Sequence, residues 1–180
     1  MKELNFAKGR KHNMNALFTR RSVRAFLPKE VETKKIDKIL RAAMQAPSAA
    51  NQQPWEFIVV RGQENLNILS RYNPYASCLK NADVGIIVLG NKNRMRIPEM
   101  WQQDLGAVTQ NILIESTELG LGSVWLGTAP DPERMEYIQN LYRLDNDLLP
   151  YSVIAIGYPK DNNANKFVDR FDETRIRYIP

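Results

Sequence analysis

The stretch Trp101 to Gly127, WQQDLGAVTQNILIESTELGLGSVWLG, decides what kind of fold this chain takes. Up to Leu119 it reads as one long helix, with Trp101, Leu105, Val108, Ile112 and Leu119 on one side and Gly106, Thr109, Leu113 and Ser116 on another. A surface helix needs a single apolar face, so two packable faces predict central burial or a subunit contact. Gly120 supplies a helix C-cap, and Ser123 to Gly127 then reads as a strand.

Outward from this unit the pattern keeps alternating. Asp131-Pro132-Glu133 starts a helix through Ile138 and Leu141, and a last strand runs from Ser152 to Tyr158. Towards the N-terminus, Ile36, Ile39, Leu40, Ala43 and Met44 share one helical face, with Thr33 as the expected N-cap and Pro47 ending the run. Trp55, Phe57 and Val59 open a strand that stops at Arg61-Gly62, and a second strand covers Val84 to Leu89. Helices outnumber strands and strict β-α-β order is not kept, which predicts an α+β fold and not a doubly wound sheet. No repeat, linker or low-complexity tract divides residues 1–180, so one domain is expected. The tail, 159–180, carries Phe167, Phe171, Ile176, Tyr178 and Ile179 with little periodicity; it needs a surface to lie on, either its own domain or a neighbouring subunit.

Composition narrows the chemistry. The longest apolar run, Val84 to Leu89, falls far short of the ~20 residues of a membrane-spanning helix, and the N-terminus has no apolar signal core, so a cytoplasmic protein is expected. One cysteine, Cys78, excludes an internal disulfide and a multi-thiolate zinc site, and one histidine, His12, leaves little room for a Ser-His or Cys-His pair. Cys78 reads as a small buried hydrophobe and His12 as a solvated residue. What remains is catalysis by carboxylate, lysine or tyrosine, or by a borrowed cofactor. The net charge of +5 favours anionic ligands. Much of it lies in Lys2, Lys8, Arg10, Lys11, Arg20, Arg21 and Arg24, and residues 1–15 read as a flexible basic arm.

Two segments carry chemistry of their own. In RRSVRAF, an extended backbone turns Arg20, Ser22 and Arg24 the same way, giving two guanidinium groups and a hydroxyl suited to phosphate. In PSAANQQPW, prolines bracket the uncharged Ser48, Asn51, Gln52 and Gln53, a set that matches the edges of a planar heterocycle. Read singly, the first is better taken as a solvated charge run and the second as a polar turn.

Together, RRSVRAF, APSAANQQPWEFIVV and DLGAVTQNILIESTELGLGSVWLG, in that order, resemble the nitroreductase family over nearly the whole chain. The resemblance implies an α+β fold with a mixed central sheet flanked by helices, an intertwined homodimer, FMN at the subunit interface, and hydride transfer from NADH or NADPH to a nitroaromatic, quinone or similar small acceptor. It assigns Arg20, Arg21, Ser22 and Arg24 to the flavin phosphate, ribityl chain and pyrimidine edge, with Pro47, Ser48, Ala49 and Asn51 arriving from the partner subunit. It places the end of the Leu126-Gly127-Thr128 strand against the isoalloxazine, where the N–H of Gly127 or Thr128 meets the flavin nitrogen that accepts the hydride. Arg170, with Lys166 as the alternative, goes to the phosphate. No side chain is assigned as catalytic, since the flavin carries the chemistry, but Arg24 has an expected electrostatic role. No metal is expected.

Two departures qualify the transfer. Tyr75 to Asn81 matches the family's pyrimidine-contacting segment poorly, and Asn91 to Glu99 is too short for the helical lid of larger members, so a more open substrate face is expected. GLGSVWLG is not a dinucleotide fingerprint, because it lacks G-x-G-x-x-G spacing and enters a strand. Two other readings stand beside the first: a same-fold flavoprotein with another reaction, such as reductive dehalogenation or flavin fragmentation, and a basic nucleic-acid-binding module.

Overall fold

The computed structural model describes residues 15–179. The expected basic arm, 1–15, and His12 with it, lies outside the described residues except for residue 15. The chain forms α1 (Asn15–Thr19), α2 (Thr33–Ala43), β1 (Trp55–Arg61), α3 (Gln63–Leu69), β2 (Val84–Asn91), α4 (Trp101–Glu118), β3 (Gly122–Gly127), α5 (Pro132–Tyr142) and β4 (Leu148–Gly157). The four strands lie in the order β1-β2-β4-β3, every neighbouring pair antiparallel. A parallel bridge between Ser22 and Ser123 adds a fifth line of chain beyond β3 and gives the sheet its mixed character.

Alternation along the strands separates two cores. Val84, Ile86, Val88, Ile154 and Ile156 face α2 and α4, where Ile36, Ile39, Leu105, Val108 and Ile112 meet them. Ile87, Leu89, Val124, Leu126, Val153 and Ala155 face the opposite layer, built from Leu66, Leu69, Leu79 and Ile138. β2 and β4 are buried on both faces, which is why they read as continuous apolar runs.

The helix α4 buries both faces expected of it: Leu105, Val108 and Ile112 on one, Thr109, Leu113 and Ser116 on the other. Its Thr109 hydroxyl lies 3.0 Å from the Ser152 hydroxyl of β4. Gly120 adopts φ +75 just past the helix end, a conformation that favours glycine. Two residues on, Gly122 is forced by space instead: a Cβ there would stand 2.7 Å from Val23 Cγ1. That close approach lets the segment after α1 lie flat on the edge of β3.

The structure departs from the sequence reading at several points. α2 is preceded by Glu32 in extended conformation, with no side-chain cap from Thr33. β4 begins at Leu148 and not at Ser152, because Pro150 falls where the β2–β4 register shifts, a site that tolerates a residue without an N–H. α3 was not expected; it buries Leu66 and Leu69 alone, too short a pattern to stand out. No described helix is long and apolar enough to cross a membrane.

Candidate functional site

The end of β3 turns one backbone N–H away from the sheet. Thr128 and Ala129 both donate their N–H to the Tyr151 carbonyl, at 3.1 and 2.9 Å. In an antiparallel ladder the residue before such a paired position points its N–H and C=O the other way, here off the free edge of the sheet. That residue is Gly127. Its carbonyl accepts from Asn73 Nδ2 at 3.3 Å and Arg134 Nη1 at 3.2 Å, and Arg134 is itself held by Asp131 at 3.0 Å. A Cβ on Gly127 would meet nothing within 4 Å, so open space lies against this peptide.

The neighbours of Gly127 are committed elsewhere. Leu126 packs in the core at 4% exposure, and the Tyr72 hydroxyl donates to its carbonyl at 3.2 Å. Burial pushes the Tyr72 phenol well above its ordinary value, which keeps it a donor. Thr128 is fully buried and its N–H is used within the sheet. Of the three residues singled out in the sequence, Gly127 alone combines an outward N–H with free space.

Beyond this edge runs the segment from Arg20 to Arg24. Val23 is buried, its N–H donates to the Ser123 carbonyl at 2.9 Å, and Ser22 and Arg24 are exposed on either side. The Arg20 guanidinium is held below its ordinary pKa, first by partial burial and then by the nearby charges of Arg21 and Arg170. The tail arginine Arg170 thus lies near enough to Arg20 for its charge to act on it within one chain. Its route is fixed by Asn165, which accepts from the Arg21 N–H at 3.1 Å and donates to the Leu121 carbonyl at 2.9 Å. Among the described residues no carboxylate lies within ion-pair distance of Arg20, Arg21, Arg24 or Arg170. Arg21 also keeps Nε and Nη2 buried with no acceptor. Arg24 stands apart, with Nη1 donating to the Ser22 carbonyl at 3.3 Å and its charge acting on the buried Cys78 thiol, which burial pushes up.

The loop between Pro47 and Trp55 lies elsewhere. It leads into β1 at the opposite edge of the sheet from β3, three strand spacings or ~14 Å away. One chain thus keeps the loop and the arginine segment at opposite edges. Within the loop Ser48 Oγ accepts from the Gln53 N–H at 3.0 Å, and Gln53 Nε2 donates to Asn51 Oδ1 at 2.9 Å. Pro47 and Asn51 are exposed and Ser48 and Ala49 half-buried. Gln52, read in the sequence as one of the ligand-facing polar set, is instead buried at 7% exposure and faces inward. Sequence reasoning also passed over Asn73, Arg134 and Asp104, which act on the backbone of the site and belong to no local pattern.

A relative from Methanothermobacter thermautotrophicus, named "Putative NADH dehydrogenase/NAD(P)H nitroreductase", is 43% identical over 163 residues, covering 91% of this chain and 84% of the relative. The Nitroreductase family model matches residues 17–102. The chain belongs to the nitroreductase family. Its fold agrees with solved members: an FMN-dependent nitroreductase from Clostridium difficile superposes with a TM-score of 0.83 at 30% identity, covering 92% of this chain and 98% of that one. A "putative nitroreductase in complex with fmn" from Desulfovibrio desulfuricans gives 0.80 at 29% identity, covering 93% and 96%. Nitroreductase membership accounts for the α+β architecture and identifies the chain as an oxidoreductase. Between β2 and α4 stand two single-turn 3-10 helices, Lys92–Arg94 and Pro98–Met100.

Proposed function

We propose that this nitroreductase is an FMN-dependent homodimer that takes a hydride from NADH or NADPH and delivers electrons to a nitroaromatic, quinone or similar small acceptor. The observation that carries the reading is the gathering of positive charge on Arg20 by Arg21 and Arg170, with no carboxylate in ion-pair distance of any of the three among the described residues. Such a cluster fits a phosphate monoester, which accepts several charge-assisted hydrogen bonds at once. The open peptide of Gly127 fits a planar ring laid against the strand end. A bound flavin would supply the redox chemistry, accepting a hydride at a ring nitrogen and passing electrons onward.

The chain's own part is binding, orientation and field. Arg20, Arg21 and Arg170 would hold the phosphate, Ser22 would hydrogen-bond the polar chain behind it, and Arg24 would place a cation at the end where negative charge develops on reduction. The Gly127 N–H would donate to the ring, its direction fixed by Asn73 and Arg134 at the carbonyl of the same residue. Pro47, Ser48, Ala49 and Asn51 complete the site from the partner subunit, an arrangement supported by their distance from the arginines within one chain. The strongly exposed tail residues Phe171, Tyr178 and Ile179 supply apolar surface for the same association.

Heat release of the cofactor followed by chromatography is expected to yield FMN, since the cluster fits a terminal phosphate and no adenosine fingerprint is present. Initial rates at several fixed acceptor concentrations should give parallel lines, because reductant and acceptor share one site in turn. Recovery of mainly FAD, or intersecting lines, contradicts the reading.

A further inference from the structure

We propose that Asp104 and Gln52 act together as positioning residues, a buried clamp that holds the loop from Pro47 to Gln53 in its ligand-binding shape. The inference rests on the flavin reading for the loop's purpose, though not for the clamp's geometry.

The loop has a conformational problem to solve. Ala50, Asn51 and Gln53 take φ values of 48, 52 and 47, in the left-handed region that side chains other than glycine rarely adopt. Such a run persists only when its surroundings over-determine it. Asp104, in the first turn of α4 and 4% exposed, reaches across to do so. One carboxylate oxygen accepts the Ala49 N–H at 2.9 Å and the other accepts from Gln52 Nε2 at 2.6 Å. Gln52 Oε1 in turn accepts the N–H groups of Arg96 and Ile97 at 2.8 and 2.9 Å, while its Nε2 also lies 3.3 Å from the Ile97 carbonyl. Among the described residues no cation pairs with this carboxylate.

A buried carboxylate served by neutral donors is a poor way to gain stability, since an apolar pair fills the same volume without desolvating a charge. What it gives is direction. The two backbone N–H groups fix which way the Gln52 amide points, the amide fixes its donor towards Asp104, and the second carboxylate oxygen fixes Ala49. The clamp therefore joins the loop to α4 and to the segment between β2 and α4.

The polarity of the chain of bonds makes the idea testable. Asp104→Asn brings an NH2 against either the Ala49 N–H or the Gln52 amide donor, and flipping Gln52 only moves the clash to Arg96 and Ile97. Gln52→Glu sets two carboxylates face to face. Combining Asp104→Asn with Gln52→Glu restores complementarity at every contact except the long 3.3 Å one to the Ile97 carbonyl: the bond between the two substituted side chains then runs in reverse, with the new amide donating to the new carboxylate. The amide oxygen still accepts from Ala49, and the carboxylate still accepts from Arg96 and Ile97.

Two readouts are taken on the whole protein: FMN affinity of the cofactor-stripped form, and hydrogen exchange of the Ala49 amide in that form. Each single variant should bind FMN about 10-fold or more weakly, the double within about 3-fold of wild type. Ala49 exchange should speed up in the singles and return in the double. Singles that lose thermal stability yet keep wild-type FMN affinity and Ala49 exchange would overturn the clamp, leaving Asp104 a packing residue. A double variant no better than the singles overturns it too. Where a single variant does not fold, the double still decides, by folding and binding or by failing likewise. Wild-type protein that refuses FMN overturns the flavin reading itself, and the exchange measurement then judges the clamp's geometry alone.

Discussion

Gly127→Val is expected to leave a folded protein that no longer binds FMN. The two halves of this expectation come from different observations. A Cβ at Gly127 meets no atom within 4 Å, and the residue does not have a positive φ, so a β-branched side chain suits the strand and costs little stability. The same side chain fills the space in which a flavin ring would lie and separates the ring from the Gly127 N–H. Loss of affinity by roughly 100-fold or more follows, because both a hydrogen bond and close ring contact are removed at once. Titration of the cofactor-stripped variant with FMN, beside its thermal unfolding, checks the pair. Wild-type affinity in the folded variant would remove the strand end from the site.

Arg24→Ala and Arg170→Ala should fail in different ways. Arg170 stands with Arg20, and its removal is expected to weaken FMN binding by about 10-fold or more, the ordinary effect of deleting one charge-assisted contact to phosphate. Arg24 lies at the other end of the segment, near Cys78, and in the proposed site its fixed cation would stabilise the anionic reduced ring more than water does. Its loss should lower the flavin reduction potential and slow reduction by NAD(P)H even at saturating FMN. Spectroelectrochemical titration and stopped-flow reduction of both variants, each confirmed as folded and loaded, separate the roles. A flavin-saturated Arg24→Ala with the wild-type potential and reduction rate would make Arg24 a binding residue or a surface charge.

How much of this was legible beforehand follows from the range of the interactions involved. α4 and β2 were readable because burial imprints a period or a continuous apolar run on neighbouring residues. The arginine segment was readable as a pattern, but its lack of carboxylate partners among the described residues, and the nearness of Arg170 to Arg20 across most of the chain length, depend on packing. Gly127 and Thr128 could not be told apart in sequence, because the choice depends on the parity of the β3–β4 ladder. Gln52 read as a ligand-facing amide since nothing near it in sequence announces Asp104, 52 residues away. The helix α3 was missed because Leu66 and Leu69 alone make no period, and the start of β4 because a proline ordinarily ends a strand.

The central claim is that FMN is held between two copies of this chain, with the arginines from one and the Pro47–Asn51 loop from the other. Measuring mass in solution while following flavin absorbance tests it most directly. The account predicts a yellow species at twice the 20.7 kDa chain mass with the flavin absorbance travelling on the dimer. A flavin-loaded monomer of 20.7 kDa, or a colourless protein that also refuses added FMN, would contradict it.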